Sequence, residues 1–221
     1  MGGVAINSAG QAYVWGDNNY GQLAIGTSGA VNASGGANAT NSKPHLVSGL
    51  SNIKQVSYGG YGTLGFVVAL TSSGQVYGWG YNEYSRLGFG SNSPLNVTTP
   101  TPSPLVSNVD RISTGVDFTQ FITGNNIQTV GYQDYGEGFA GITTANNQSP
   151  VQSVFPNIAG NVGMAAGGYS NSWILSPNGK MVWGIGYSNA TDREFGNNTS
   201  AGAAASTAAA VAWTFVPNPM P

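Results

Sequence analysis

His45 is the only histidine of the chain, and eight carboxylates accompany it: Asp17, Glu83, Asp110, Asp117, Asp134, Glu137, Asp192 and Glu194. A nucleophilic relay needs a base beside an activated serine, and no nucleophile-elbow motif surrounds any serine here. His45 follows Lys43-Pro44 at the head of a short apolar stretch, the place of an edge residue on a strand. Metal binding through nitrogen or sulfur needs several His or Cys side chains. One His and no Cys are present. Glycoside hydrolysis needs only two carboxyl groups facing each other across a bond. These carboxylates fall at recurring positions after hairpins, where polar turn residues are expected whatever the function. No calcium loop with acidic residues at alternating positions is present. The expectation is no catalytic residue, no metal and no cofactor.

The aromatic residues divide into two sets. Tyr20, Tyr84 and Tyr135 each stand four residues after a glycine that closes a hairpin, and that recurrence points to packing between repeats. Tyr81, Phe89, Tyr132, Phe139 and Tyr187 are less regular and lie beside Asn, Asp and Gln. Flat apolar rings next to fixed hydrogen-bonding groups suit protein or glycan recognition. With Asp134 they form the expected binding-loop set.

The elements that must hold these residues are hairpins. Ala69-Leu-Thr-Ser-Ser-Gly-Gln-Val-Tyr-Gly-Trp-Gly80 alternates like a strand on both sides of a turn glycine. Related copies are Ala5 to Gly16, Phe121 to Gly131 and Ile174 to Gly184. Closing glycines at 16, 80, 131 and 184 or 186 space the copies by 64, 51 and about 54 residues, periods typical of propellers and related arrays. Trp15, Gly16, Trp79, Gly80, Gly131, Trp183 and Gly184 carry the motif, with both tryptophans of the first two copies expected between neighbouring blades. Short Pro-led stretches (Pro44 to Val47, Pro104 to Val106, Pro150 to Val154) and Gly-aromatic stretches around Val56 to Gly60 supply further strands. The fold class is all-β: about four four-stranded blades in one repeat domain, 1–221, with repeats 1–55, 56–111, 112–162 and 163–221. Segments 24–43, 89–103, 137–149 and 196–210 read as variable loops on a common edge.

These residues resemble the regulator of chromosome condensation repeat family, whose core reads Ala-Leu-Thr-x-x-Gly-x-Val-Tyr-x-Trp-Gly. A Gly-Gln-Leu-Gly follows in that family, and Gly16-Asp-Asn-Asn-Tyr-Gly-Gln-Leu23 and Gly80-Tyr-Asn-Glu-Tyr-Ser-Arg-Leu-Gly88 are similar to it. The resemblance implies a β-propeller. Familiar members close seven blades, so four imply an incomplete ring or one completed by a second chain. Nucleotide exchange and chromatin binding, the family's best-known activities, are not carried over.

Charge weighs against nucleic acid. Six Lys plus Arg face eight Asp plus Glu, and charged residues make up 6% of the chain, leaving no basic surface for phosphates. Nothing resembles a signal peptide or a membrane span. Solubility rests on Asn, Ser, Thr and 34 Gly, a composition like that of fibre and adhesin proteins. The functional expectation is a non-enzymatic structural or attachment protein on the virion surface of a bacteriophage, whose partners are other virion chains, copies of itself or a surface glycan. The alternatives are an exported bacterial adhesin or inhibitor propeller, and an intracellular regulatory propeller of exchange-factor type.

Overall fold

A computed structural model describes residues 2–29, 43–133, 147–154, 164–168, 171–175, 181–186 and 213–214. The chain forms four antiparallel sheets, each led by one of the repeated hairpins. The first contains β1 (Gly2–Ile6), β2 (Ala12–Gly16) and β3 (His45–Leu46). The second contains β4 (Ile53–Gly59), β5 (Phe66–Thr71), β6 (Val76–Tyr81) and β7 (Asn96–Pro102), paired in chain order. The third repeats this with β8 (Arg111–Thr114), β9 (Phe118–Thr123), β10 (Asn126–Gly131) and β11 (Asn147–Val154). The fourth contains β12 (Met164–Gly167), β13 (Asn171–Leu175), β14 (Met181–Gly186) and β15 (Trp213–Thr214). This is the expected propeller architecture, with one difference: the first blade has three strands among the described residues.

Hairpin chemistry explains the register. In the second blade Gly74, at φ 83°, turns the chain so that the Thr71 amide donates to Gln75 O at 2.9 Å. The Thr71 hydroxyl accepts from the Gln75 amide at 3.0 Å. Asn7 replaces it in the first blade, its Oδ1 accepting from the Gln11 amide at 3.0 Å. Both side chains mimic a backbone acceptor within a turn. At the other end of the hairpin Gly80 adopts φ 96°, and a Cβ there would lie 2.8 Å from the Gly65 carbonyl oxygen. Only glycine fits.

Blades stack through their inner strands, with β1 beside β4, β4 beside β8 and β8 beside β12. A sheet-on-sheet stack must satisfy the free backbone edges of these strands, and side-chain amides and hydroxyls do so. The Gln55 amide brackets Ile112, donating to its carbonyl at 2.7 Å and accepting from its N–H at 2.9 Å. Ser57 and Thr114 hydroxyls meet at 2.7 Å, and the Ser113 hydroxyl accepts from the Gly167 amide at 2.9 Å. Apolar residues fill the space farther out: Phe66, Val68, Leu70, Val76, Leu87, Ile112 and Phe121 are all buried.

Three sequence expectations are corrected here. Segment 89–103 is not all loop, because Asn96-Val-Thr-Thr-Pro-Thr-Pro102 forms the outer strand β7. Its β-branched residues favour extension, and its prolines are tolerated because no strand pairs beyond that edge among the described residues. Pro104 to Val106, read as a strand, is irregular, with Val106 buried and Leu105 exposed. Trp79 is fully buried as expected, but Trp15 is only half-buried. The Trp15 ring lies against Gly3 of its own sheet, and no earlier blade covers it among the described residues.

Tyr58, on β4, offers a test of inner-strand packing. Its hydroxyl is buried beside Gly65 and has no hydrogen-bond partner. Burial, and secondarily the charge of Asp17, pushes its pKa up to about 12. The folded state thus holds the phenol proton more tightly than the unfolded chain, whose phenol ionises near its ordinary value of about 10. Stability from this group is intact below about pH 10 and is lost as the pH rises from there toward 12. Tyr58→Phe should flatten that fall in urea midpoints measured at pH 9, 10 and 11. At pH 7 the variant should equal the parent or exceed it by up to about 1 kcal/mol, since an unpartnered hydroxyl is removed. An unchanged alkaline slope would contradict this account of Tyr58.

Candidate functional site

The closing glycine of each hairpin delivers the chain to a loop at one end of the blades. Two positions organise that loop. The asparagine two residues after the glycine folds it: Asn18 Oδ1 accepts from the Leu23 amide at 3.0 Å, and its amide donates to Thr27 O at 3.0 Å. Asn82 repeats the arrangement, with Leu87 at 3.3 Å and Ser91 O at 2.9 Å. The residue six after the glycine then crosses to the next blade. Gln22 donates from Nε2 to Thr63 O at 2.7 Å, and Arg86 donates from Nη1 to Val116 O at 3.3 Å.

The next blade answers with a donor of its own. The Trp79 indole N–H donates to Gln22 O at 2.9 Å. In the third blade Val130 stands where the tryptophan was, paired across the ladder with Thr119. The Thr119 hydroxyl takes over, donating to Arg86 O at 2.6 Å. A tryptophan lost from the repeat is thus compensated one strand away.

Arg86 is the centre of this end. Its side chain is fully buried, with Nη1 2.8 Å from Asp117 Oδ1 and Nη2 3.8 Å from Glu83 Oε2. Nε donates to Glu83 O at 2.8 Å. The guanidinium lies 4.9 Å from the Tyr81 ring centroid, 5.4 Å from Phe66 and 5.5 Å from Tyr84. Desolvation lowers its pKa, while Asp117 and Glu83 oppose that shift. Tyr81 donates to Glu83 Oε2 at 2.7 Å. Burial, followed by that hydrogen bond and the Glu83 charge, raises the Tyr81 pKa well above the usual phenol range.

Tyrosines tie successive loops together. The Tyr20 and Tyr81 rings meet at 4.3 Å between centroids, and Tyr84 and Tyr132 at 5.0 Å. In each pair one ring stands four residues after a closing glycine and the other follows the next closing glycine directly. The packing expected of Tyr20 and Tyr84 is present, whereas Tyr135 lies outside the described residues. Tyr81, expected to be exposed, is buried because it stacks on Tyr20 and covers Arg86. Phe89 is half-buried against the core and Tyr132 is half-buried against Tyr84. Asp134, Phe139 and Tyr187 lie outside the described residues.

Of the carboxylates, the structure brings Glu83 and Asp117 together, with the Arg86 cation between them. Asp110 accepts from the Gly124 amide at 2.8 Å and caps a hairpin instead. His45 sits on β3 opposite Val14, away from this end. Among the described residues no group of three His, Cys, Asp or Glu side chains could hold a metal. Sequence reasoning missed Arg86, Gln22, Asn18, Asn82 and Thr119. The signal for four of them was available, since Gly-x-Asn-x-Tyr-x-Gln/Arg-Leu recurs at 16–23 and 80–87.

Comparison with known proteins places this geometry. The family model described as the regulator of chromosome condensation (RCC1) repeat matches residues 9–65 and 73–122. A second model of that repeat matches 53–86, so the two together span 9–122, just over half of the chain. The ultraviolet-B receptor UVR8 of Arabidopsis thaliana is 30% identical over 81% of this chain and 37% of its own length. The probable E3 ubiquitin-protein ligase HERC4 of Homo sapiens is 26% identical over 83% of this chain and 16% of its own. Among solved structures, Prp20p of Saccharomyces cerevisiae superposes with TM-score 0.66, at 20% identity, over 84% of this chain and 41% of its own. The chain therefore spans well under half the length of these relatives. Relatives that are a ubiquitin ligase and a light receptor overturn the virion-surface and extracellular reading. That reading rested on a charge-poor, Asn-rich composition, which reports how a surface is solubilised and not where it works. The chain belongs to the regulator of chromosome condensation repeat family.

Proposed function

We propose that this chain is a non-enzymatic regulatory propeller segment that binds a protein partner at the loop end of its blades. The observation that carries the reading is the inter-blade assembly of Tyr84, Tyr132, Glu83 and Asp117 around buried Arg86. Glu83 and Asp117 side chains are 38% and 35% exposed, so a rigid rim presents carboxylate and phenol together. Such a rim suits a partner surface carrying Lys or Arg side chains, because the charges lie beside aromatic faces held in place by packing. Phe89, Tyr132, Asp134, Phe139 and Tyr187 belong to the same post-hairpin segments and extend the proposed contact set. Prp20p, which shares the fold, is described with binding to Gsp1p and histones, and yeast RCC1 (Prp20) has been crystallised bound to Kap60. Protein binding by this scaffold is consistent with those two cases. No helix among the described residues is long and apolar enough to cross a membrane.

The test is site-directed photocrosslinking in the native host. A benzophenone amino acid at Tyr132 should give a discrete protein adduct, while the same group at exposed Ser73, on the opposite end of the blade, should give none. Adducts only from Ser73, or from neither position, would count against the loop end. Hydrolase turnover that disappears with one carboxylate substitution would refute the non-enzymatic reading.

A further inference from the structure

A concave surface also lies at the turn end of the blades, opposite the loop end. There the connector between the first two blades meets the hairpin turn of the second. The cleft is walled by Leu50, Ser51 and Asn52 from the connector and by Ser72, Gln75 and Tyr77 from the hairpin. Its volume of about 330 Å³ falls at the small end of the roughly 300–1,000 Å³ usual for ligand sites. The walls are held in place. Asn52 takes the left-handed backbone at φ 56°, and its carbonyl accepts from the Ser72 amide at 2.8 Å and from the Ser72 hydroxyl at 3.1 Å. On the other side of the turn the Val109 amide donates to Gly74 O at 3.1 Å. Inside the turn the Thr71 hydroxyl bonds the Ser73 hydroxyl at 2.9 Å and accepts from the Gln75 amide at 3.0 Å. A site pre-ordered in this way loses little entropy on binding.

We propose that this cleft binds a neutral mono- or disaccharide. No Asp, Glu, Lys, Arg or His lines it, so nothing there balances a phosphate, a carboxylate or an ammonium group. The Tyr77 hydroxyl donates to Gln75 Oε1 at 3.0 Å, which orients the carboxamide and leaves both Nε2 hydrogens available. Among the described residues neither the Asn52 carboxamide nor the Ser51 hydroxyl has a hydrogen-bond partner. Carboxamides and hydroxyls both donate and accept, as the hydroxyls of a sugar require. Tyr77 and Leu50, both half-buried, add apolar surface for the C–H face of the ring. The third blade shows that the fold does not need these residues. Asn126 and Gln128 stand before Gly131 where Gln75 and Tyr77 stand before Gly80, and at that turn the Asp110 carboxylate accepts from the Gly124 amide at 2.8 Å. The uncharged cleft with an aromatic wall therefore belongs to the second blade's own sequence. It is separate from the loop end, so its failure would leave the proposed protein contact untouched.

The probes are D-glucose, D-galactose, N-acetyl-D-glucosamine, maltose and lactose, with D-glucosamine and D-glucuronate as charged comparators. Each is titrated into the 221-residue chain and followed in nitrogen–proton correlation spectra. At least one neutral sugar should saturably shift the Gln75 side-chain amide and the Ser72 backbone signal, while Tyr84 and Tyr132 at the loop end stay fixed. Gln75→Ala, at an exposed position, removes the Nε2 donors and should weaken binding at least about tenfold, the value of one lost hydrogen-bonding group. Tyr77→Gln installs the third blade's residue and should weaken it likewise, with unchanged signals outside the cleft showing that the variant is folded. Methyl glycosides that bind as well as the free sugars would assign the cleft to the end of a glycan, and binding of free sugars alone to a soluble saccharide. No saturable shift with any neutral sugar, affinity unchanged in both variants, or tighter binding of either charged comparator would each overturn the proposal.

Discussion

Replacing Trp79 with alanine is expected to cost about 3–5 kcal/mol, as truncation of a fully buried large aromatic does. The indole is completely inside the core and donates its N–H to Gln22 O in the previous blade. Two losses therefore combine: a large cavity between blades, and a carbonyl deprived of its donor. Trp79→Phe separates them, since it keeps most of the volume and loses the hydrogen bond, and should cost only about 1–2 kcal/mol. Urea denaturation of the three proteins measures both terms. A Trp79→Ala midpoint within error of the parent would mean the second blade is not packed as described.

The second large effect lies at Arg86. Asp117→Ala should destabilise by about 3 kcal/mol, the low end for breaking a buried ion pair, because Glu83 still faces the guanidinium and Asp117 is partly solvated. Arg86→Gln should be milder. It removes the buried charge altogether and installs the residue that the first blade already uses at the same place, Gln22. Breaking one partner should thus hurt more than deleting the cation, an ordering that a surface salt bridge would not show. Equal losses in the two variants, or none, would place Arg86 in solvent-screened surroundings and remove the basis of the rigid rim.

The hairpins were legible because their information is local. Alternation in Gln75-Val-Tyr-Gly-Trp, a turn glycine and a closing glycine need no distant partner to be recognised. The outer strands were less legible. Asn96 to Pro102 combines prolines with threonines, and its state depends on β6 lying alongside it. Arg86 shows why the site was hidden: arginine by composition signals surface, and only its blade-to-blade equivalence with Gln22 marks it as a crossing residue. The exposure assigned to Tyr81 failed for a related reason, since the ring that covers it belongs to another repeat, 61 residues earlier at Tyr20.

The hydrogen bonds from Trp79 to Gln22 and from Thr119 to Arg86 run in the same direction, each blade donating to the one before it. Donors also run the other way, from Gln22 to Thr63 O and from Arg86 to Val116 O, so each of these seams is tied from both sides. Removing the blade on either side of a seam would strand a buried donor, which proteins rarely tolerate. Each blade is therefore held by its neighbours in both directions, and the array should come apart cooperatively and not one blade at a time from an end.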